Sequence, residues 1–219
     1  MNIPIPSDPL EEWLADRLSI ERRGGGPSLA VRVLRRIGRL DRAAYQAVAE
    51  MPTPLLDSPL RRIADFANFS KPWLLVAGAL ALFGGARGRR AAFTGMAAIG
   101  LTSLVINQPI KLAGNRRRPG RTRLGVPESR WVRMPSSTSF PSGHAASAAA
   151  FAVSVGRVLP GLRVPLSAAA IIVAFSRVYT GVHYPGDVVV GATVGAVLGR
   201  ATAAVARRRR RRAFLTPIG

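Results

Sequence analysis

The sequence predicts an all-α fold: a multi-span membrane helix bundle of about five transmembrane helices, with amphipathic helices ahead of them. Three observations predict it. Apolar residues make up 48% of the 219 positions, yet the formal net charge is +21, so the two must be separated along the chain. Nine of the eleven Asp and Glu residues lie at or before Asp65, leaving only Glu128 and Asp187 beyond it. After that point, short cationic clusters alternate with nearly uncharged runs, as loops alternate with membrane spans.

Residues 1–70 read as an amphipathic, partly flexible N-terminal region. "DPLEEWLADRL" has a helical pattern of mixed charge. No basic start is followed by an apolar run, so no secretory signal is expected. "GGG" at 24–26 is a flexible break. Residues 28–50, "SLAVRVLRRIGRLDRAAYQAVAE", repeat apolar residues at helical spacing among many arginines. This segment is too charged to span. It either lies at the membrane interface or packs on the rest of the domain. Residues 53–70 have a similar pattern.

Residues 71–206 form the expected transmembrane domain. Spans are expected at about 72–86, 91–110, 144–159, 164–180 and 185–206. "RGRR" at 87–90 is expected as a loop, and a polar loop fills roughly 113–140. Small residues dominate the spans, as they do where membrane helices pack closely. Several spans fall short of the ~20 residues that cross a typical bilayer. Residues 207–219 are a basic tail that opens with six arginines. Such a run can bind nucleic acid. Here it follows an apolar helix directly and lacks interleaved aromatics, so a topology anchor or a contact with anionic lipid is expected, with no nucleic-acid partner.

The chain has no cysteine, which excludes disulfides and thiol catalysis. With two histidines and two late acids, a metal site is hard to build, so neither metal nor cofactor is expected. An acid at the edge of a membrane domain is costly unless paired, which makes Asp187 a functional candidate.

Counting the spans brings "KLAGNRRRP", "PSGH" and "SRVYTGVHYPGD" to one side of the membrane. Lys111, Arg118 and Arg177 supply positive charge suited to phosphate oxygens. Ser142 and Gly143 sit where a helix begins, with free backbone N–H groups and room for close approach. His144 and His183 can move protons or attack phosphorus. Asp187, four residues after His183, can accept from one imidazole nitrogen and leave the other free. Plainer roles fit the neighbours. Arg116, Arg117, Arg121 and Arg123 read as solvated or headgroup-binding. Glu128 reads as solvated, and Ser136, Ser137 and Ser139 read as loop residues. Ser176 supports the helix or the site, Pro119 and Pro141 shape turns, and Tyr184 wedges a helix end.

In order, "K-x6-RP" (Lys111, Arg118, Pro119), "PSGH" (141–144) and "SR-x5-H-x3-D" (Ser176, Arg177, His183, Asp187) resemble the three-part signature of the type 2 phosphatidic acid phosphatase family. Every signature residue is present, over about 111–187, and the first 70 residues add nothing to the match. The resemblance implies a metal-independent membrane lipid phosphatase. His183 attacks phosphorus to give a phosphohistidine, and Asp187 orients it. His144 protonates the leaving oxygen and then activates water. Lys111, Arg118 and Arg177, with Ser142 and the Gly143 amide, hold the phosphoryl oxygens. Vanadium haloperoxidases share the signature, but they are larger soluble proteins, and the apolar spans here argue against them. The other alternative is a non-enzymatic or inactive relative acting as a lipid transporter or assembly partner. Retention of every signature residue argues against that.

By the positive-inside rule, "RGRR" and the arginine tail face the cytoplasm, which places the site on the extracytoplasmic face of the plasma membrane. With five spans, the arginine-rich N-terminal region shares the site's face, so either it is translocated, or part of it dips into the membrane, or the site faces inward. A site at helix mouths suits a phosphorylated lipid entering from the bilayer. Phosphatidic acid, phosphatidylglycerol phosphate, and polyprenyl phosphates or diphosphates all fit.

Overall fold

The computed structural model describes residues 28–106 and 116–215, the last five by their backbone alone. "DPLEEWLADRL" and Lys111 therefore lie outside the described residues. Among the described residues there are helices and no strand.

Helix α1 (Leu29–Ala49) starts at Ser28, whose side chain caps the Val31 amide at 3.4 Å. Toward its end, α1 buries Tyr45 and Ala49, while Leu29, Val33, Ile37 and Leu40 stay exposed along one stripe. The packed reading of this segment holds for its far end. The exposed apolar stripe is the feature on which the interfacial reading rests. Helix α2 (Pro54–Phe66) follows. A 3-10 turn (Asn68–Ser70) leads from it into α3 (Lys71–Phe83).

The turn into α4 (Gly85–Val105) is made by two glycines, with Gly85 at φ +58°. Gly88 passes so close to the Leu80 carbonyl that no side chain would fit. "RGRR" is therefore not a loop. It forms the first turns of α4, because the glycines complete the reversal before it and arginine is a good helix former.

The remaining helices are α5 (Gly143–Val158), α6 (Arg163–Tyr179) and α7 (Pro185–Leu215). The last continues through the arginine run, where cations suit the negative end of the helix dipole. Helices thus stand at all five expected positions. Among the described residues, only Pro160–Tyr179 and Pro185–Arg210 are individually long and apolar enough to cross a membrane. The pair Pro54–Phe66 and Asn68–Phe83, bent by 69°, adds a third if it is one broken span. Helices α3 and α5 are short, with 13 and 16 residues.

Helix α5 is the centre of the bundle and packs against α4, α6 and α7. Ala145, Ala146, Ala148, Ala150, Phe151 and Val155 are all buried. The α7 face that meets it carries glycine every fourth residue. A Cβ on Gly199 would stand 2.6 Å from the Ala150 carbonyl oxygen, and one on Gly191 or Gly195 would press on those of Ser142 and Ala146. This small-residue seam lets two backbones touch. It also sets the register that matters for the site, because the Ser142 amide donates to the Asp187 carbonyl at 2.9 Å.

Candidate active site

The end of α6 delivers the first site residue. Gly181 (φ +72°) ends the helix in a left-handed turn. The Val182 amide donates back to Arg177 O at 3.1 Å and the Gly181 amide to Val178 O at 2.9 Å. No side chain fits at Gly181, because Arg121 and the Tyr45 hydroxyl fill the space. The chain therefore doubles back, and the His183 amide also reaches Arg177 O, at 3.2 Å. Pro185 then opens α7, and Asp187, in its first turn, accepts the Tyr184 amide at 3.0 Å. Five residues between two helices thus hold His183 over Asp187.

Asp187 is fully buried, with a partner on every side. Arg116 donates to Oδ1 at 2.8 Å, the Ser139 hydroxyl donates to Oδ2, and His183 Nδ1 faces Oδ2 at 3.5 Å. That last contact is an ion-pair distance, long for a hydrogen bond, and Nδ1 has no other partner. On the other side of the ring, Arg118 Nη1 stands 3.2 Å from Nε2. A guanidinium has only donors, so Nε2 meets it with its lone pair and the ring proton belongs on Nδ1, toward Asp187. Burial pushes the His183 pKa down to about 4. The positive charges of Arg118 and Arg177 push the same way, and Asp187 opposes them. His183 is thus a neutral imidazole at neutral pH, with its Nε2 electron pair turned toward Arg118.

Arg118 is fixed by the backbone of two loops. It donates to Val182 O and Ser137 O, each at 2.8 Å, and to Thr138 O at 3.2 Å. Burial draws its pKa down to about 10, against the pull of Asp187, so it stays charged. Arg177 lies beneath, 1% exposed, and donates Nη1 to Ala64 O at 2.8 Å. Its Nε is buried without a partner, as is the Thr138 hydroxyl oxygen. Unfilled donors and cations beside a bare imidazole nitrogen suit a bound oxyanion such as a phosphoryl group.

Ser142 is buried and caps α5 through the Ala145 amide at 3.5 Å. Gly143 and His144 follow on the first turn and line a neighbouring pocket. His144 Nε2 lies 3.1 Å from Asn68 Oδ1. The structure thus joins Arg118, Arg177, Ser142, His183 and Asp187 in one cluster, and Gly143 and His144 follow Ser142 on the first turn of α5.

Several neighbours differ from expectation. Arg116 is not solvated. It is 6% exposed and bridges Asp187 to Asp41 of α1, the latter at 2.7 Å. Its guanidinium also lies over the Tyr184 ring, 4.1 Å from the centroid. Ser139 is a loop residue, as expected, but it is buried and its hydroxyl donates to Asp187. Arg121 donates to Val132 O at 2.8 Å and packs over Trp131. Arg117, Arg123 and Glu128 are exposed, and Ser176 bonds its own helix at Val173 O, both as expected. Asp41 also accepts the Gly186 amide at 2.6 Å, so the N-terminal region, silent in the motifs, braces the site. The one available signal was Asp41 itself, a lone acid in an arginine-rich helix.

The sequence model of the PAP2 superfamily matches residues 91–211. The chain belongs to the PAP2 superfamily. Decaprenylphosphoryl-5-phosphoribose phosphatase of Mycobacterium tuberculosis is 33% identical over 184 residues, covering 79% of this chain and 96% of that one. Lipid A 1-phosphatase of Rhizobium johnstonii is 41% identical over 70 residues, 32% of this chain and 29% of that one. Among solved structures, the PAP2-type phosphatidylglycerolphosphate phosphatase of Bacillus subtilis superposes with a TM-score of 0.61 at 22% identity, covering 91% of this chain and 93% of that one. LpxE of Aquifex aeolicus gives 0.60 at 23% identity, over 74% and 94%. The two structures share the fold. PAP2 proteins are phosphatases acting on phosphate esters, and this chain is a membrane protein of that kind.

Proposed function

We propose that this PAP2 protein is a metal-independent lipid phosphatase of the plasma membrane, working through a phosphohistidine on His183. The observation that carries the reading is the polarity of the His183 ring. Its Nδ1 side faces Asp187, and its Nε2 lone pair faces Arg118.

Nε2 attacks phosphorus, the P–O bond to the lipid breaks, and His144 gives a proton to the departing oxygen. As positive charge grows on the imidazole, Asp187 stabilises it through Nδ1–H. His144 then takes a proton from water, whose oxygen attacks phosphorus and releases His183 and inorganic phosphate. Lys111, Arg118 and Arg177, with Ser142 and the Gly143 amide, hold the phosphoryl oxygens throughout.

The substrate is a phosphomonoester or diphosphate headgroup on a membrane lipid. A polyprenyl-linked phosphate is the first to test, because the mycobacterial relative matches over 96% of its length. Arg90, Arg157, Arg207 and Arg210 gather at the opposite end of the bundle, which supports an extracytoplasmic site under the positive-inside rule.

The test is phosphate release from a panel of lipid phosphates in detergent with EDTA, comparing wild type with His183→Ala. Activity without metal in the wild type, reduced at least about a thousandfold in the variant, is the expected result. Loss of activity to EDTA, or activity retained by His183→Ala, overturns the mechanism.

A further inference from the structure

Beside the phosphate cluster, a pocket of about 180 Å³ opens between the turn at Asn68–Ser70, the end of α4 and the start of α5. Gly143 and His144, which follow Ser142 of the cluster at the start of α5, line it. Its walls are apolar at Trp73 and Ile106, but its remaining lining is rich in hydroxyls: Ser70, Thr102, Ser103 and Ser147. Thr102 is 1% exposed, and its hydroxyl oxygen has no partner. A buried hydroxyl in that state costs about 1–3 kcal/mol, which a ligand hydroxyl would recover.

The turn on the other wall is strained. Phe69 and Ser70 both hold φ +58°, a conformation that side chains rarely adopt. Phe69 is 87% exposed, so burial of its ring does not explain the strain. What the turn does achieve is to place Asn68 Oδ1 3.1 Å from His144 Nε2. An amide oxygen accepts, so this contact keeps a proton on Nε2. Asn68 lies outside the segment matched by the PAP2 superfamily, residues 91–211.

We propose that this pocket receives the alcohol portion of the substrate, that it selects an alcohol bearing free hydroxyls near the phosphate, and that Asn68 is a positioning residue that orients His144 through Nε2–H, so that the Nδ1–H of the imidazolium serves the departing oxygen. The inference rests on the phosphatase reading above. It narrows the substrates that fit the phosphate cluster alone. A phosphorylated glycerol or sugar carries such hydroxyls. The diacylglycerol part of phosphatidic acid and a bare polyprenol carry none.

The chemistry balances without further reagents. The P–O bond electrons go to the alcohol oxygen, the His144 proton follows them, and the phosphoryl group passes to His183. A leaving group that is stable as an anion has no need of that proton, which gives Asn68 a signature of its own.

The experiment uses the full-length protein in detergent with EDTA and four substrates: phosphatidylglycerol phosphate, a polyprenyl-linked phosphosugar, phosphatidic acid and p-nitrophenyl phosphate. Wild type is expected to prefer at least one of the first two over phosphatidic acid. Which of them wins tells a glycerol from a sugar. Thr102→Val keeps the shape and removes an unpaired hydroxyl, so it should fold at least as well. It is expected to lower the ratio of kcat/KM on the hydroxylated substrate to that on phosphatidic acid about tenfold. Asn68→Ala should lower the ratio of lipid ester to p-nitrophenyl phosphate turnover at least tenfold, and Asn68→Asp, which keeps an accepting oxygen, should restore it.

A wild-type preference for phosphatidic acid, an unchanged ratio in Thr102→Val, or an equal loss on ester and nitrophenyl substrates in Asn68→Ala overturns the inference and leaves the phosphatase reading standing. Activity retained by His183→Ala overturns that reading instead, whatever the two ratios do.

Discussion

The two ends of this helix bundle are both rich in arginine, and they use it in opposite ways. At the site end, Arg116 is buried between Asp41 and Asp187, and Arg130 is 2% exposed against Asp57 at 2.8 Å. At the far end, Arg90, Arg157, Arg207 and Arg210 surround a cavity of about 210 Å³ whose other lining residues are Thr94, valine and alanines. The difference is the placement of acid. Asp41, Asp57 and Asp187 all stand at the site end, and among the described residues no carboxylate lines the far cavity. A guanidinium with a fixed carboxylate can be buried and becomes part of the architecture. Arg177, buried without a fixed carboxylate, is held by the Ala64 carbonyl instead, while the far-end guanidiniums line an open cavity.

The largest effect expected from this contrast is at Arg116. Arg116→Ala leaves Asp41 and Asp187 buried and facing each other without the cation between them. Removing one partner of a buried pair costs about 3–5 kcal/mol. Arg116→Lys offers a point charge where a fork spans two carboxylates, and should recover only part. Thermal melts in detergent and phosphate release should both collapse in Arg116→Ala and stay near wild type in Arg157→Ala. Equal melts for the two variants would erase the distinction between the ends.

The second effect is on pH. His183 titrates at about 4 when folded, against 6.5 for an ordinary imidazole. Between those values the unfolded chain binds a proton that the folded chain refuses, so stability rises with pH across that window. At ~1.4 kcal/mol per pKa unit, about 3 kcal/mol is present above pH 6.5 and lost as pH falls to 4. His183→Gln removes the titrating group. Its melting temperature should fall less than that of wild type between pH 6.5 and 4.5. Parallel curves would mean that the ring is accessible to solvent, and the buried character of the site end would be wrong.

The same contrast explains what the sequence disclosed. The candidate cluster was legible because it is local: His183 and Asp187 are four apart, Ser142, Gly143 and His144 are contiguous, and both groups sit at helix ends. The bundle was legible from the apolar runs. The supporting shell was hidden because it is assembled over long separations. Arg116 meets Asp41 across 75 positions, and Asn68 meets His144 across 76. In "NRRRP", nothing local tells Arg116, which is buried, from Arg117, which is exposed. Nor could residue count alone place the turn before "RGRR", because the reversal occurs one step earlier, at Gly84 and Gly85.

A smaller effect tests how the bundle transmits position to the site. Gly195 lies on the seam against Ala146, and Gly78, in α3, has nothing within 4 Å of where a Cβ would stand. Gly195→Ala should cost about 1–3 kcal/mol by forcing α7 off α5. It should also lower kcat, because the Ser142–Asp187 contact depends on that approach. Gly78→Ala should gain about 0.5–1 kcal/mol from helix propensity alone. If Gly195→Ala melts like Gly78→Ala, the seam is looser than the contact distances imply, and the register of the site is set elsewhere.

The smallest effect belongs to the far end. The double variant Arg90→Gln and Arg157→Gln should shift stability by no more than about 0.5 kcal/mol, the usual range for surface positions. Phosphate release should stay within twofold. Twenty residues of helix separate Asp187 from Arg207, roughly 30 Å at 1.5 Å per residue. Exposed guanidinium groups are neutralised locally by counterions within a Debye length of about 8 Å. Their charge therefore does not reach His183 through solvent, and any tenfold loss of kcat would have to travel along α7 itself. That outcome would make the arginine end a second control on catalysis, and the separation of the two ends would no longer hold.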